Sequence, residues 1–124
     1  MRRNAVAAAA LLGLLAVTAG AFGAHALSGH VAAERIETFR LAARYQLIHA
    51  ALLVILGLAG DRLRGRTFDI AIGAFFAGIV VFSGSLYTLV LSGEGLWGAV
   101  TPIGGVLLHV GWFCLFLAAL RARN

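Results

Sequence analysis

Phe82-Ser83-Gly84-Ser85-Leu86-Tyr87, answered further on by Thr101-Pro102-Ile103-Gly104-Gly105, is the pair of stretches on which the reading of this chain turns. Both sit inside long apolar runs. Hydroxyls and glycines set in hydrocarbon-like sequence predict helices that approach backbone to backbone, with Ser and Thr satisfying one another across the contact.

The surrounding composition says what solvent such helices meet. Of 124 residues, 61% are hydrophobic and 12% charged, and the mean hydropathy is +0.95. So few charges cannot cover a water-soluble surface. Lipid is the alternative, and four apolar stretches reach the length a bilayer requires, at about 5–27, 41–60, 68–91 and 99–120. The expected fold is all-α: an integral membrane four-helix bundle of one domain spanning 1–124, with short loops and an amphipathic segment before the second span.

Along the first stretch, Gly13, Ala16, Gly20, Gly23 and Leu27 recur at alternating spacings of three and four, a stripe that admits a close neighbour. A basic start ahead of an apolar run, ending in Ala24-His25-Ala26, also fits a cleaved signal sequence. The length of the run and its small-residue stripe favour a retained span. Between Ser28 and Arg44, Ile36, Phe39 and Ala43 fall at helical spacing while Glu37, Arg40 and Arg44 share another face. This segment is expected to lie at the interface or to extend the second span, its ion pairs contributing little.

The net charge of +5 does not point to nucleic acid, because the arginines flank apolar segments and form no stripe with interleaved aromatics. They read as topogenic. Four spans collect Arg2, Arg3, Arg62, Arg64, Arg66, Arg121 and Arg123 on one side, against Arg35, Arg40 and Arg44 offset by Glu34, Glu37 and Glu94 on the other. Both termini are therefore expected in the cytoplasm. Trp97 reads as an interfacial anchor and Pro102 as a first-turn proline. The lone Cys114 can form no intramolecular disulfide.

Taken together, Gly20-Ala21-Phe22-Gly23-Ala24-His25-Ala26-Leu27, Tyr45-Gln46 with His49-Ala50, Phe82 to Tyr87, and Thr101 to Gly105 with Gly111-Trp112 resemble the domain-of-unknown-function 423 family. These are small bacterial membrane proteins similar to the animal transmembrane protein 256. The resemblance covers about nine-tenths of the chain in order. It implies a multi-pass inner-membrane protein that keeps its first segment, and it brings no activity, substrate or catalytic residue.

Polar groups inside a membrane are costly and mark candidate sites. A polar interior could be formed by Gln46, His49, Ser83, Ser85, Tyr87 and His109. At about 1.5 Å per residue, His49 lies roughly 12 Å and His109 roughly 15 Å from the outer ends, so the two could share a layer. Such a layer could relay protons or hold haem or quinone, but a buried histidine more often bonds a neighbour, with Gln46 ready for His49. Gly105, His109, Trp112 and Phe116 share a helix face, where Gly105 would admit a neighbour and Trp112 would shield His109 from lipid.

The packing candidates are Gly13, Ala16, Gly20, Gly23, Gly84, Gly104 and Gly105. No nucleophile elbow surrounds either serine, and there are no paired carboxylates within a span and no metal-ligand spacing, so neither an enzyme nor a cofactor is expected. The expected partners are the lipid bilayer and either another membrane protein or a second copy. A structural or interaction role comes first, passage of a proton, ion or small solute second, and haem or quinone binding third.

Overall fold

In a computed structural model, which describes residues 2–122, the chain is helical almost throughout. Helix α1 (Arg2–Thr18) widens into a π turn at Ala19–Gly23 and resumes as the short α2 (Ala24–Leu27). There follow α3 (Ala33–Leu58), α4 (Arg66–Ser92) and α5 (Thr101–Arg121), the last entered through a 3₁₀ turn at Gly95–Ala99. Four helices among the described residues are long and apolar enough to cross a membrane, the first of them running Arg3–Leu27 through the π turn.

The charged segment before the second span belongs to it, because α3 runs without interruption from Ala33. Glu34 occupies its first turn, where a carboxylate meets the positive end of the helix dipole. Glu37 and Arg40 pair at 2.6 Å on the exposed face. The π turn is a departure from the regular helix that the small-residue spacing predicts. Ala19, Gly20, Ala21 and Gly23 carry little side chain to resist a wider turn, and Phe22 is left 70% exposed.

The connections are short, and each reverses on a glycine with positive φ: Gly29 at 85°, Gly65 at 102° and Gly93 at 74°. That backbone region is open chiefly to glycine. Gly93 ends α4 in the left-handed conformation, its N–H donating to the Leu89 carbonyl at 2.9 Å. Arg35 reaches the same carbonyl through Nη1 at 3.2 Å, a cation placed at a helix C-terminus.

Packing follows chain order: α1 lies on α3, α3 on α4, and α4 on α5. Helices α3 and α4 are central, and α1 and α5 flank them. The α1 and α3 faces meet antiparallel in constant register. Val6 stands over Gly57, Ala50 over Gly13, Ala43 over Gly20 and Phe39 over Gly23. The α4 and α5 faces interlock more deeply. Phe75 fills the notch at Gly111, Phe82 the notch at Gly104, and Leu108 of α5 fills the notch at Gly78 of α4. Spacings of seven with an intervening three or four set side chains of one helix into glycine notches of the other.

Gly84 and Gly105 do not belong to these faces, since no atom of another helix lies within 4 Å of where their Cβ would stand. The buried side of α5 is Gly104, Leu108, Gly111 and Ala118. That is one residue away from the predicted Gly105, His109, Trp112 and Phe116 face, and one residue is a rotation of about 100°. Phe82 selects the Gly104 side because its backbone comes so near that any side chain would collide with it.

One end of the molecule collects the start of α1, the end of α5 and the α3–α4 connection. Ala5 lies beside Arg64 and Gly65, and Arg121 donates to Thr67 Oγ1 at 3.0 Å. Arg123, counted in the sequence with this basic group, lies outside the described residues.

Candidate functional site

The polar residues of the interior lie on the inward faces of α3 and α4, and the structure ties most of them across helices. Gln46, buried on α3, uses both ends of its amide. Its Nε2 donates to the Leu12 carbonyl of α1 at 2.8 Å, and its Oε1 accepts from the Tyr87 hydroxyl of α4 at 2.7 Å. One side chain thus joins three helices. Tyr87 also packs against Phe39, with ring centroids 4.9 Å apart.

Ser83, 1% exposed, donates to the Ala42 carbonyl at 2.8 Å and so fastens α4 to α3. Ser85 and Thr101 join α4 to α5, their hydroxyl oxygens 2.6 Å apart. Each hydroxyl also has a carbonyl of its own helix or its entry turn in reach, Phe82 for Ser85 at 2.9 Å and Trp97 for Thr101 at 3.3 Å, so either one can donate to the other. This is the exchange of hydroxyls that the two decisive stretches predict.

His49 is buried, and its two ring nitrogens are both engaged. Nδ1 lies 2.7 Å from the Tyr45 carbonyl one turn back, and Nε2 lies 3.1 Å from Trp112 Nε1 on α5. An indole N–H can only donate, so Nε2 is the acceptor and the proton sits on Nδ1, facing the carbonyl. The ring also stands edge-on to Trp112 and tilted to Phe75, at centroid distances of 6.0 and 5.8 Å. Gln46 is therefore not its partner. Trp112 gives its N–H to His49 and not to His109.

His109 lies at the same level but outward. Its Nδ1 bonds the Gly105 carbonyl of its own helix at 2.9 Å, and the side chain is exposed. A groove of about 310 Å³ between Tyr45, Phe82, Gly105 and Trp112 has both His49 and His109 in its walls. The two histidines share this groove, but they are not bonded to each other: each ring is held at Nδ1 by the carbonyl one turn back in its own helix.

What this arrangement can do chemically follows from its connectivity. The Gln46–Tyr87 pair, the Ser83 bond, the Ser85–Thr101 pair and the His49–Trp112 pair are separate fasteners. They do not join into a chain of titratable groups. Among the described residues, no buried side-chain nitrogen or oxygen lacks a hydrogen-bond partner, and no three metal-ligating side chains gather. Sequence reasoning missed Trp112 as the partner of His49. It also missed Gly57, Gly78 and Gly111 as notches, although the seven-residue interval from Gly104 to Gly111 could have shown the last.

Fold and interior together define a multi-pass α-helical membrane protein whose spans are stitched by buried hydrogen bonds. The family described as "Protein of unknown function (DUF423)" matches residues 19–105, and the chain belongs to it. It is 41% identical over 115 residues to the UPF0382 membrane protein SAB0533 of Staphylococcus aureus, which covers 90% of this chain and 91% of that one. Against the UPF0382 membrane protein YwdK of Bacillus subtilis the identity is 38%, covering 90% and 92% of the two chains. Against the UPF0382 inner membrane protein YgdD of Escherichia coli K12 it is 40%, covering 94% and 88%. No solved structure matches the chain.

Proposed function

We propose that this protein is a non-catalytic membrane scaffold, its polar interior fixing the relation of the four spans and its outer helices offering lateral faces to another membrane protein. The observation that carries this reading is the complete pairing of the buried polar side chains. A path for protons or solutes needs groups that exchange partners with the traffic. Here Gln46, Ser83, Ser85, Tyr87 and His49 each hold another part of the protein, and releasing them would loosen the helices themselves.

The lateral faces are broad because α1 and α5 are each packed on one side. Leu11, Leu14, Leu15 and Phe22 on the first span, and Ile103, Val106, Phe113 and Phe116 on the fourth, are turned outward. The same reading places both termini in the cytoplasm. Arg3, Arg62, Arg64, Arg66 and Arg121 stand together at one end, and the positive-inside rule assigns that end.

Purification from native membrane in mild detergent, with mass spectrometry and an absorption spectrum of the same fraction, tests the role. A stoichiometric co-eluting membrane protein supports the scaffold. A bound pigment with no protein partner overturns it. Reporter fusions to both ends, with thiol labelling at Ser28→Cys and Gly93→Cys, test the orientation, and labelling from outside at both loops is expected.

A further inference from the structure

A second groove, about 550 Å³ and larger than the one beside His109, opens at the arginine end between α1, α3 and α4. It exists because α1 and α4 both pack on α3 but share no comparable face with each other. Its walls are apolar, with Leu56 on α3 and Phe68, Ile72 and Phe76 on α4, and Arg64 stands at its rim. We infer that this groove seats an acyl chain of an anionic phospholipid whose phosphate is held by Arg64.

Three observations carry the inference. The first is Gly73. It lies within an apolar helix and lines the groove, and beyond the backbone of its own helix no atom lies within 4 Å of where its Cβ would be. Glycine weakens a helix, and in membranes its usual compensation is a closely packed neighbour. Gly73 has none, so what its small size provides is the open space of the groove. Its volume falls in the range of about 300 to 1,000 Å³ typical of ligand pockets.

The second observation is Arg64 itself. Nη2 pairs with Asp61 Oδ2 at 2.8 Å, and Nε donates to the Asp61 carbonyl at 3.0 Å, so the arm is held at the rim. The side chain remains 66% exposed, and the planar guanidinium has five N–H donors suited to phosphate. The third is the charge of this end. Arg3, Arg62, Arg64, Arg66 and Arg121 outnumber Asp61 and the groove-lining Asp69. The groove itself carries one Arg and one Asp, but it opens at a basic end of the molecule, and hydrocarbon walls below an arginine-rich rim complement an anionic headgroup above an acyl chain.

The test uses the full-length protein, stripped of lipid in a zwitterionic detergent and titrated with phosphatidylglycerol, with phosphatidylcholine of the same chains, or with inorganic phosphate. Thermal unfolding and native mass spectrometry are the readouts. Phosphatidylglycerol is expected to raise the unfolding temperature and to be retained at about one molecule per chain, a single-site linkage. Phosphatidylcholine is expected to bind more weakly, and inorganic phosphate to leave the unfolding temperature unchanged. Arg64→Gln should weaken the phosphatidylglycerol response about fivefold, the worth of one arginine near an anionic surface.

Gly73→Leu should fill the groove and abolish lipid retention. Its Cβ has open space, and an unchanged circular dichroism spectrum confirms that the variant is folded. Equal responses to the two lipids overturn the inference, as does undiminished retention by Gly73→Leu. So would stabilisation by inorganic phosphate alone, or a stable dimer in place of retained lipid that Gly73→Leu dissolves. None of these readouts depends on a partner protein, so the inference stands or falls separately from the scaffold reading.

Discussion

His49 shows why a polar residue can lie deep in a membrane without carrying a reaction. The Trp112 indole N–H fixes which ring nitrogen accepts, and the bond fastens α5 to α3. Trp112→Phe should therefore destabilise the protein by about 0.6 to 1.7 kcal/mol, the scale measured for hydrogen bonds between membrane helices. Unfolding by titrated SDS in mixed micelles reads this directly, and the double variant with His49→Phe should cost less than the two single changes together. Gln46→Leu removes two bonds to two helices and should cost more than Trp112→Phe in the same assay. That His49 and Gln46 are interior was legible in the sequence from their depth in a span. Their partners were not, because helical spacing fixes neighbours within one helix and says nothing about which rotation a second helix adopts. The His49–Trp112 bond spans 63 positions, and Gln46 prefers Leu12 and Tyr87 to the histidine one turn away.

Among the helices, glycine does the discriminating. A Cβ at Gly104 would come within 2.6 Å of the Phe82 Cα, backbone that cannot rotate aside. Gly104→Ala should therefore push α5 from α4 and cost about 1 to 3 kcal/mol, as overpacking does. Gly105→Ala, one residue on, meets nothing and should be neutral or stabilise by up to about 1 kcal/mol, since alanine suits a helix better. Thermal unfolding of the two variants side by side checks the pair, and equal losses would refute the assigned face. The four spans were legible from apolar length alone, and so was the Gly13, Gly20 and Gly23 stripe, which lies on α3. The face of α5 was misread by one residue for a physical reason. Gly104 and Gly105 are adjacent and identical, and only the position of Phe82 separates them. The π turn was illegible because small residues permit it without demanding it.

For the molecule as a whole, the distribution of arginines is what membrane insertion reads. If Arg62, Arg64 and Arg66 hold the α3–α4 connection inside, replacing all three with Gln should give a mixed population of orientations in the reporter assay. Neutralising Arg35 and Arg40 at the opposite end should not. The first set changes the difference between the two sides in one direction, and the second only sharpens it. This asymmetry was fully legible, since counting charges between apolar runs needs no structure.

The chain-order packing has a consequence for biogenesis. Each long helix after the first packs on the one made before it, so a helix leaving the ribosome finds a neighbour already in the bilayer. Two hairpins, α1 to α3 and α4 to α5, are each complete in themselves, and the Ser83 and Gln46 bonds then join them. Assembly can thus keep pace with synthesis and needs no late rearrangement of distant segments.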